Sequence, residues 1–215
     1  MQAPIRAVLA GQVKAFARGE GSAIAKQPLD GRVRIKFAGV AGDAQADLVH
    51  HGGRDKALHH YPFDHYASWA ARAPDDALLG APGTFGENLS TDTILEDQVC
   101  IGDRFRLGSA LIEISQGRQP CWKQGVRLDW PQLPALMVNE GRSGWYYRVI
   151  EEGEVEAGDM LSLVARPLPD WTVRRVFDLL VAGKHKSDRA ALKALADMDL
   201  LFAGWRERAA ALMGD

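Results

Sequence analysis

Cysteine is scarce in this chain, two among 215 residues, Cys100 and Cys121. That is too few for the disulfide framework of a small secreted domain, so both are read as free thiols in a reducing, cytoplasmic setting. Long apolar runs are missing too: nothing approaches the roughly 18 consecutive apolar residues of a membrane-spanning helix. The opening segment, MQAPIRAVLAGQV, lacks the apolar core and flanks of a signal peptide. Charge of one sign is also missing, since 26 Lys and Arg face 28 Asp and Glu. A net charge of −2 gives no global field for a nucleic acid or an anionic membrane, and any polyanion must meet a local basic patch.

What is present reads first as short strands punctuated by glycine. Arg32–Phe37 (RVRIKF) alternates polar and apolar, the period of a half-buried strand. Asp103–Ser115 (DRFRLGSALIEIS) reads as two strands joined at Gly108-Ser109, and Trp145–Ile150 and Met160–Ala165 continue the β character. Val99–Leu107 and Val155–Leu163 share V-x-x-G-D-x-x-x-L, which predicts a Gly-Asp turn at the entry to each of two strands. Many short strands at this spacing favour a barrel or sandwich over a βαβ sheet. Helices are expected over Asp64–Ala73 and through PQLPALMVNEG, with Gly141 as the stop.

After Leu168 the composition shifts. Pro167 and Pro169 form a hinge, and residues 169–215 read as three short helices appended to a main domain of residues 1–168. Val173, Val176, Phe177, Leu180 and Val181 make an apolar stripe closed by Gly183. Ser187 is expected to cap a second helix carrying Leu192 and Leu195, and Asp199 a third carrying Leu201, Trp205 and Leu212.

Five of the six histidines fall between His50 and His65. Imidazole suits zinc, copper or iron, but the spacing argues against a protein-only metal site. His50/His51 and His59/His60 are adjacent pairs, and adjacent residues on a strand face opposite ways. No His-x-x-x-His or Cys-x-x-Cys accompanies them. The following HGGRDK offers glycine backbone with Arg54 and Lys56, a set that could cradle a phosphate. It is not a P-loop, whose spacing is absent.

The two cysteines differ. Cys100, between Val99 and Ile101, reads as a small buried hydrophobe. Cys121 follows a strand by a short polar loop, SQGRQPCWK, in which Arg118 and Lys123 would stabilise a thiolate. Such a sulfur can serve as a nucleophile, a redox thiol or a soft-metal ligand.

Taken together, GDxxAD…HGGRDKALHHYP, FGENLST, GDRFRLGSALIEISQGRQPCWK and the helical tail resemble the MOSC family, in particular its YiiM-like bacterial branch. The resemblance runs through nearly the whole chain. It implies a mainly β fold: a pyruvate-kinase-insert-like β-barrel with short helices, followed by a small all-α three-helix appendage. It further implies molybdenum cofactor and reduction of N-hydroxylated compounds such as hydroxylaminopurine bases, with electrons from a separate reductase. Cys121 would then be the metal ligand, with His60 and Lys26 beside it as reactive groups. For the phosphate-bearing pterin it suggests His51, Gly52, Gly53 and Arg54, with Asn88 and Arg118 as polar clamps.

Two rivals stand beside this reading. A nucleic-acid-binding tail is disfavoured because residues 170–215 carry eight Lys/Arg and seven Asp/Glu, a net of about +1 that supplies little phosphate affinity. A persulfide carrier using Cys121 without molybdenum is the other. A homodimer through the exposed faces of the tail is a reasonable expectation.

Overall fold

The computed structural model describes residues 1–45 and 52–214. Seven strands close on themselves: β1 (Gln2–Ala10), β2 (Leu58–His60), β3 (Leu89–Thr91), β4 (Arg104–Leu107), β5 (Ala110–Gly117), β6 (Trp145–Glu151) and β7 (Met160–Ala165). Around the barrel they run β7–β4–β5–β6–β2–β3–β1, and β1 pairs back onto β7. Neighbours are antiparallel except β2 and β3, which meet in parallel at His60 and Leu89. Closure satisfies backbone groups that an open sheet would leave at its edges. The interior is filled by Ile5, Val8, Leu58, Phe105, Ile112, Ile114, Trp145 and Tyr147. Burying each such side chain contributes about 1.5–3 kcal/mol.

The repeated V-x-x-G-D segment is one turn used twice. Gly102 and Gly158 both have positive φ, +78° and +93°, a backbone conformation that glycine adopts without the Cβ clash other residues meet. In each copy the aspartate folds back on the loop. Asp103 Oδ2 accepts from the Cys100 N–H at 2.9 Å, and Asp159 Oδ2 from the Glu156 N–H at 3.0 Å. The strands that follow, β4 and β7, then pair with each other, Phe105 opposite Leu163 and Leu107 opposite Leu161. The expected hairpin at Gly108-Ser109 is present, with Leu107 opposite Ala110.

Helix α1 (Asp64–Ala70), shorter than expected, is followed by α2 (Trp122–Arg127) and α3 (Leu133–Glu140), which ends at Gly141. Residues of α1 and α3 join a second, aromatic cluster that includes Tyr61, Tyr66, Trp69, Phe85 and Trp130. The tail forms α4 (Val173–Leu180), α5 (Arg189–Ala196) and α6 (Ala203–Leu212). Thr172 caps α4, its side chain accepting from the Arg175 N–H. Two expected caps are corrected. Asp188 caps α5 by accepting from the Ala191 N–H. At α6 Phe202 is the N-cap, no side chain caps the helix, and Asp199 instead meets Arg206 at 3.4 Å.

The apolar faces of α4 to α6 belong to the same buried cluster as the barrel interior. The Phe202 N–H donates to Ser115 O of β5 at 3.0 Å, and Arg148 of β6 donates to Leu200 O at 3.1 Å. The tail is thus fastened to β5 and β6, directly behind the loop that carries Cys121. No helix among the described residues is long and apolar enough to cross a membrane.

Candidate functional site

Strand β5 ends at Gly117, and Arg118–Pro120 carries the chain to Cys121, the N-cap of α2. Gln124 Oε1 accepts the Cys121 N–H at 2.9 Å and fixes the backbone there. The thiol is partly exposed and opens on a cleft with about 600 Å³ of empty space. Cys100, by contrast, is buried in an isolated bridge to Thr172 ahead of β4, with Sγ 3.4 Å from Pro169 O, and burial raises its pKa. Only Cys121 is placed for chemistry.

A row of side chains across three strands forms the floor of the site. In antiparallel pairs, residues directly opposite share a face. Tyr146 lies opposite His59, and Trp145 opposite His60. Tyr146 and His59 therefore face the cleft together, with rings 5.2 Å apart. Trp145 and His60 point into the barrel, with rings 4.4 Å apart. On β5 the register shifts between Ile114, opposite Tyr147, and Gln116, opposite Tyr146. This bulge at Ser115 turns Gln116 to the Tyr146 side, where simple alternation would have kept it with Ile114 inside.

His60 is accordingly corrected from site residue to core residue. It is fully buried, with Nδ1 3.1 Å from Tyr147 Oη and Nε2 2.9 Å from Thr91 Oγ1. Burial lowers its pKa to about 3, so it is neutral at physiological pH. The cleft receives His59, whose pKa is lowered well below the usual value, first by burial and then by Arg118.

Lys26 lines the same cleft as Cys121. It is buried and ion-paired with Asp43. Burial lowers its pKa, while Asp43 opposes that shift. Asp43 also accepts from the Gly11 N–H at 2.8 Å and from Asn88 Nδ2 at 2.8 Å. Asn88 donates further to Leu9 O at 3.1 Å and accepts the His59 N–H at 3.1 Å. Its amide is thus a brace joining Lys26, Asp43 and His59.

Arg118 is the least satisfied group in the site. It is 4 % exposed, and its guanidinium reaches Phe85 O through Nη2 only at a long 3.5 Å and otherwise meets the Tyr146 hydroxyl. Its Nε and Nη1 have no partner among the described residues. The loop beneath it is well tied. Ser143 Oγ donates to Arg118 O at 2.5 Å, and Glu96 accepts from the Ser143 and Gly144 N–H groups at 3.0 and 2.8 Å. Glu96 also meets His65 at 2.8 Å; burial would raise its pKa, but these partners hold it low. Glu87, fully buried, accepts from the Gly83 and Phe85 N–H groups and from Tyr66, shaping the loop that brings Phe85 and Gly86 to the cleft.

The glycine cradle is not assembled as expected. Gly52 and Gly53 do not line the cleft, and exposed Arg54 lies over the Phe37 ring at 4.9 Å. Lys56, in the same 3-10 turn, reaches the cleft instead. His51 lies outside the described residues. Among the described residues the lining holds four cations, Lys26, Lys56, Arg118 and Lys123, and no carboxylate. Among the described residues no group of three or more His, Cys, Asp and Glu could by itself hold a metal ion. A thiol set among cations suits an anionic, phosphate-bearing ligand that brings its own sulfur donors.

Sequence reasoning named Lys56 only as part of the cradle and missed Asp43, His59 and Tyr146 as lining residues or supports. Asp43 stood in a quoted motif, GDxxAD, and His59 in a pair known to face opposite ways, but nothing local said which member faces the ligand.

Comparison with known proteins gives the same picture. The MOSC domain family model matches residues 47–162. Protein YiiM of Escherichia coli (strain K12) is 46% identical over 167 residues, covering 78% of this chain and 74% of that one. A Gibberella moniliformis protein named Reductase is 42% identical over 172 residues, 79% of this chain but 30% of that longer one. Among solved structures, YiiM from Geobacillus stearothermophilus superposes with a TM-score of 0.83 at 30% identity, over 99% of this chain and 100% of that one. The fold, the motifs and these relatives agree: the chain belongs to the MOSC family.

Proposed function

We propose that the protein binds molybdenum cofactor through Cys121 and reduces N-hydroxylated compounds to amines. The observation that carries this reading is the pairing of a partly exposed thiol with a buried guanidinium whose Nε and Nη1 lack partners. A buried polar group left unpaired costs about 1–3 kcal/mol, more when charged. Here an anionic ligand would supply the missing acceptors. When bound, the cofactor would supply two-electron chemistry, with Cys121 as the residue that would hold it.

The net reaction is R–NHOH + 2e⁻ + 2H⁺ → R–NH₂ + H₂O, in which the N–O bond breaks and nitrogen is reduced. The electrons come from a separate reductase. Cys121 Sγ provides the protein ligand, and Arg118 meets negative charge. Lys26 Nζ, its pKa lowered by burial and its position held by Asp43, is the group in the lining best suited to give a proton. His59, neutral at physiological pH, serves as a hydrogen-bonding wall. The name of the Gibberella relative supports the redox reading.

The test is molybdenum content by elemental mass spectrometry on wild type and Cys121→Ser, from a host that makes the cofactor. Near-stoichiometric metal in wild type and at least a tenfold loss in the variant is the expected result. No metal in either, with sulfane sulfur on Cys121, would overturn it in favour of persulfide carriage.

A further inference from the structure

The helical tail reaches the Cys121 cleft through Lys56. This residue is one of the cations in the lining and ends the 3-10 turn Arg54–Lys56, just ahead of β2. The turn has three residues, none of them buried. Lysine carries its charge on a flexible four-carbon stem, and holding that stem in one place costs entropy. An ammonium on so short a turn is therefore placed by what lies outside the turn.

Three links join the turn to the tail among the described residues. Arg148 of β6 donates from Nε to Asp55 Oδ1 at 2.5 Å and from Nη1 to Leu200 O at 3.1 Å, so one guanidinium holds the turn and the residues ahead of α6. Buried Glu113, 2.8 Å from Nη1, meets the charge of that guanidinium. Ser115, at the β5 bulge, bridges the same two segments. Its Oγ donates to Asp55 O at 2.5 Å, the nearer of the two carbonyls it meets, and its O accepts the Phe202 N–H at 3.0 Å. The third link is to the ammonium itself. Lys56 Nζ lies 4.9 Å from the centre of the Phe202 ring, inside the roughly 6 Å over which an aromatic face attracts a cation. Phe202 is the N-cap residue of α6, so the ring sits where the docked tail puts it.

The structure assigns the helical tail a positioning role: Phe202 holds the Lys56 ammonium in the cationic lining, Arg148 and Asp55 fix the turn beneath it, and Lys56 so placed binds a phosphate group of the anionic ligand. This rests on the reading of the cleft as an anion site. Phe202, Arg148 and Asp55 are positioning residues that act through Lys56. The tail then contributes to ligand affinity from outside the barrel.

The test is a double-mutant cycle on the full chain, with inorganic pyrophosphate titrated by calorimetry into metal-free protein. Lys56→Met is expected to weaken binding at least tenfold. Phe202→Leu, which keeps an apolar side chain and removes the aromatic face, is expected to weaken it at least fivefold. The double variant should bind within twofold of Lys56→Met alone, because the ring then has nothing to position. Asp55→Ala should weaken binding at least threefold, although loss of a carboxylate would on charge alone strengthen it. Asp55 is 33 % exposed, so this variant carries the test if Phe202→Leu does not fold. Binding within twofold of wild type in Phe202→Leu, losses that multiply in the double variant, or unchanged or tighter binding in Asp55→Ala each overturn the assignment. A wild type that binds no pyrophosphate overturns the anion reading and the assignment with it. Molybdenum is measured separately on wild type from a host that makes the cofactor. Its absence overturns the cofactor reading alone, since the pyrophosphate cycle needs no metal.

Discussion

The barrel interior and the cleft at Cys121 both bury polar groups, and they treat them oppositely. Inside the barrel, His60 has a partner at each ring nitrogen. In the barrel wall Glu113 is bonded by both Arg104 and Arg148. Trp145 Nε1 is the exception. Around Cys121, by contrast, His59 Nε2, Gln116 Oε1, Gln124 Nε2 and two nitrogens of Arg118 lack partners among the described residues. Folding alone gains nothing from such atoms, because desolvation is incurred without a new bond. The comparison sets polar groups satisfied within the fold against a cluster left unsatisfied beside Cys121.

Mutations at the satisfied groups are expected to cost most. Lys26→Met leaves the Asp43 carboxylate buried without its counter-charge, and should cost about 3–5 kcal/mol of folding stability. A urea unfolding midpoint that barely moves would show that the Lys26–Asp43 pair contributes little to the fold. His60→Leu strips the partners from Tyr147 Oη and Thr91 Oγ1 and should cost about 2–3 kcal/mol. Molybdenum per folded molecule should hold steady in that variant, and a selective loss of metal would restore His60 to the site.

The same histidine predicts a pH dependence. Its pKa is about 3 in the folded protein against about 6.5 unfolded. Between those values the unfolded chain binds the proton and the folded one does not, so stability rises with pH. The contribution is full above pH 6.5 and lost on acidification toward pH 3, by about 1.4 kcal/mol per pH unit. His59, also lowered, adds in the same direction. Unfolding midpoints measured from pH 7 to pH 4.5 should show this slope, flatter in His60→Leu. An equal slope in both proteins would assign it elsewhere.

Arg118→Leu should move stability least, within about 1 kcal/mol, because a poorly paired buried charge is removed with its desolvation cost. Molybdenum content should nevertheless fall at least tenfold. A large loss of stability with metal retained would make Arg118 a structural residue and erase the contrast between the two regions.

Much of this was legible locally. The β5 hairpin, the repeated V-x-x-G-D turn and the apolar stripe of α4 each follow from periodicity and turn chemistry within a dozen residues. Cys121 could be singled out because its neighbours are polar and cationic, unlike those of Cys100. The α5 start was misplaced because adjacent Ser187 and Asp188 could each serve as cap, and the α6 start because that helix begins at Phe202 with no side-chain cap to signal it. Gln116 could not have been assigned, since alternation from Ile112 and Ile114 points it inward and a bulge reverses it.

By itself the sequence determined several strands and helices, the Gly-Asp turns and the one partly exposed thiol, because these depend on contacts between near neighbours along the chain. It also determined that His59 and His60 face opposite ways. Which of them meets the cleft was decided only when β2 paired with β6, setting His59 beside Tyr146 and His60 beside Trp145. That choice depends on register between segments some 85 residues apart, and register is a property of the closed barrel.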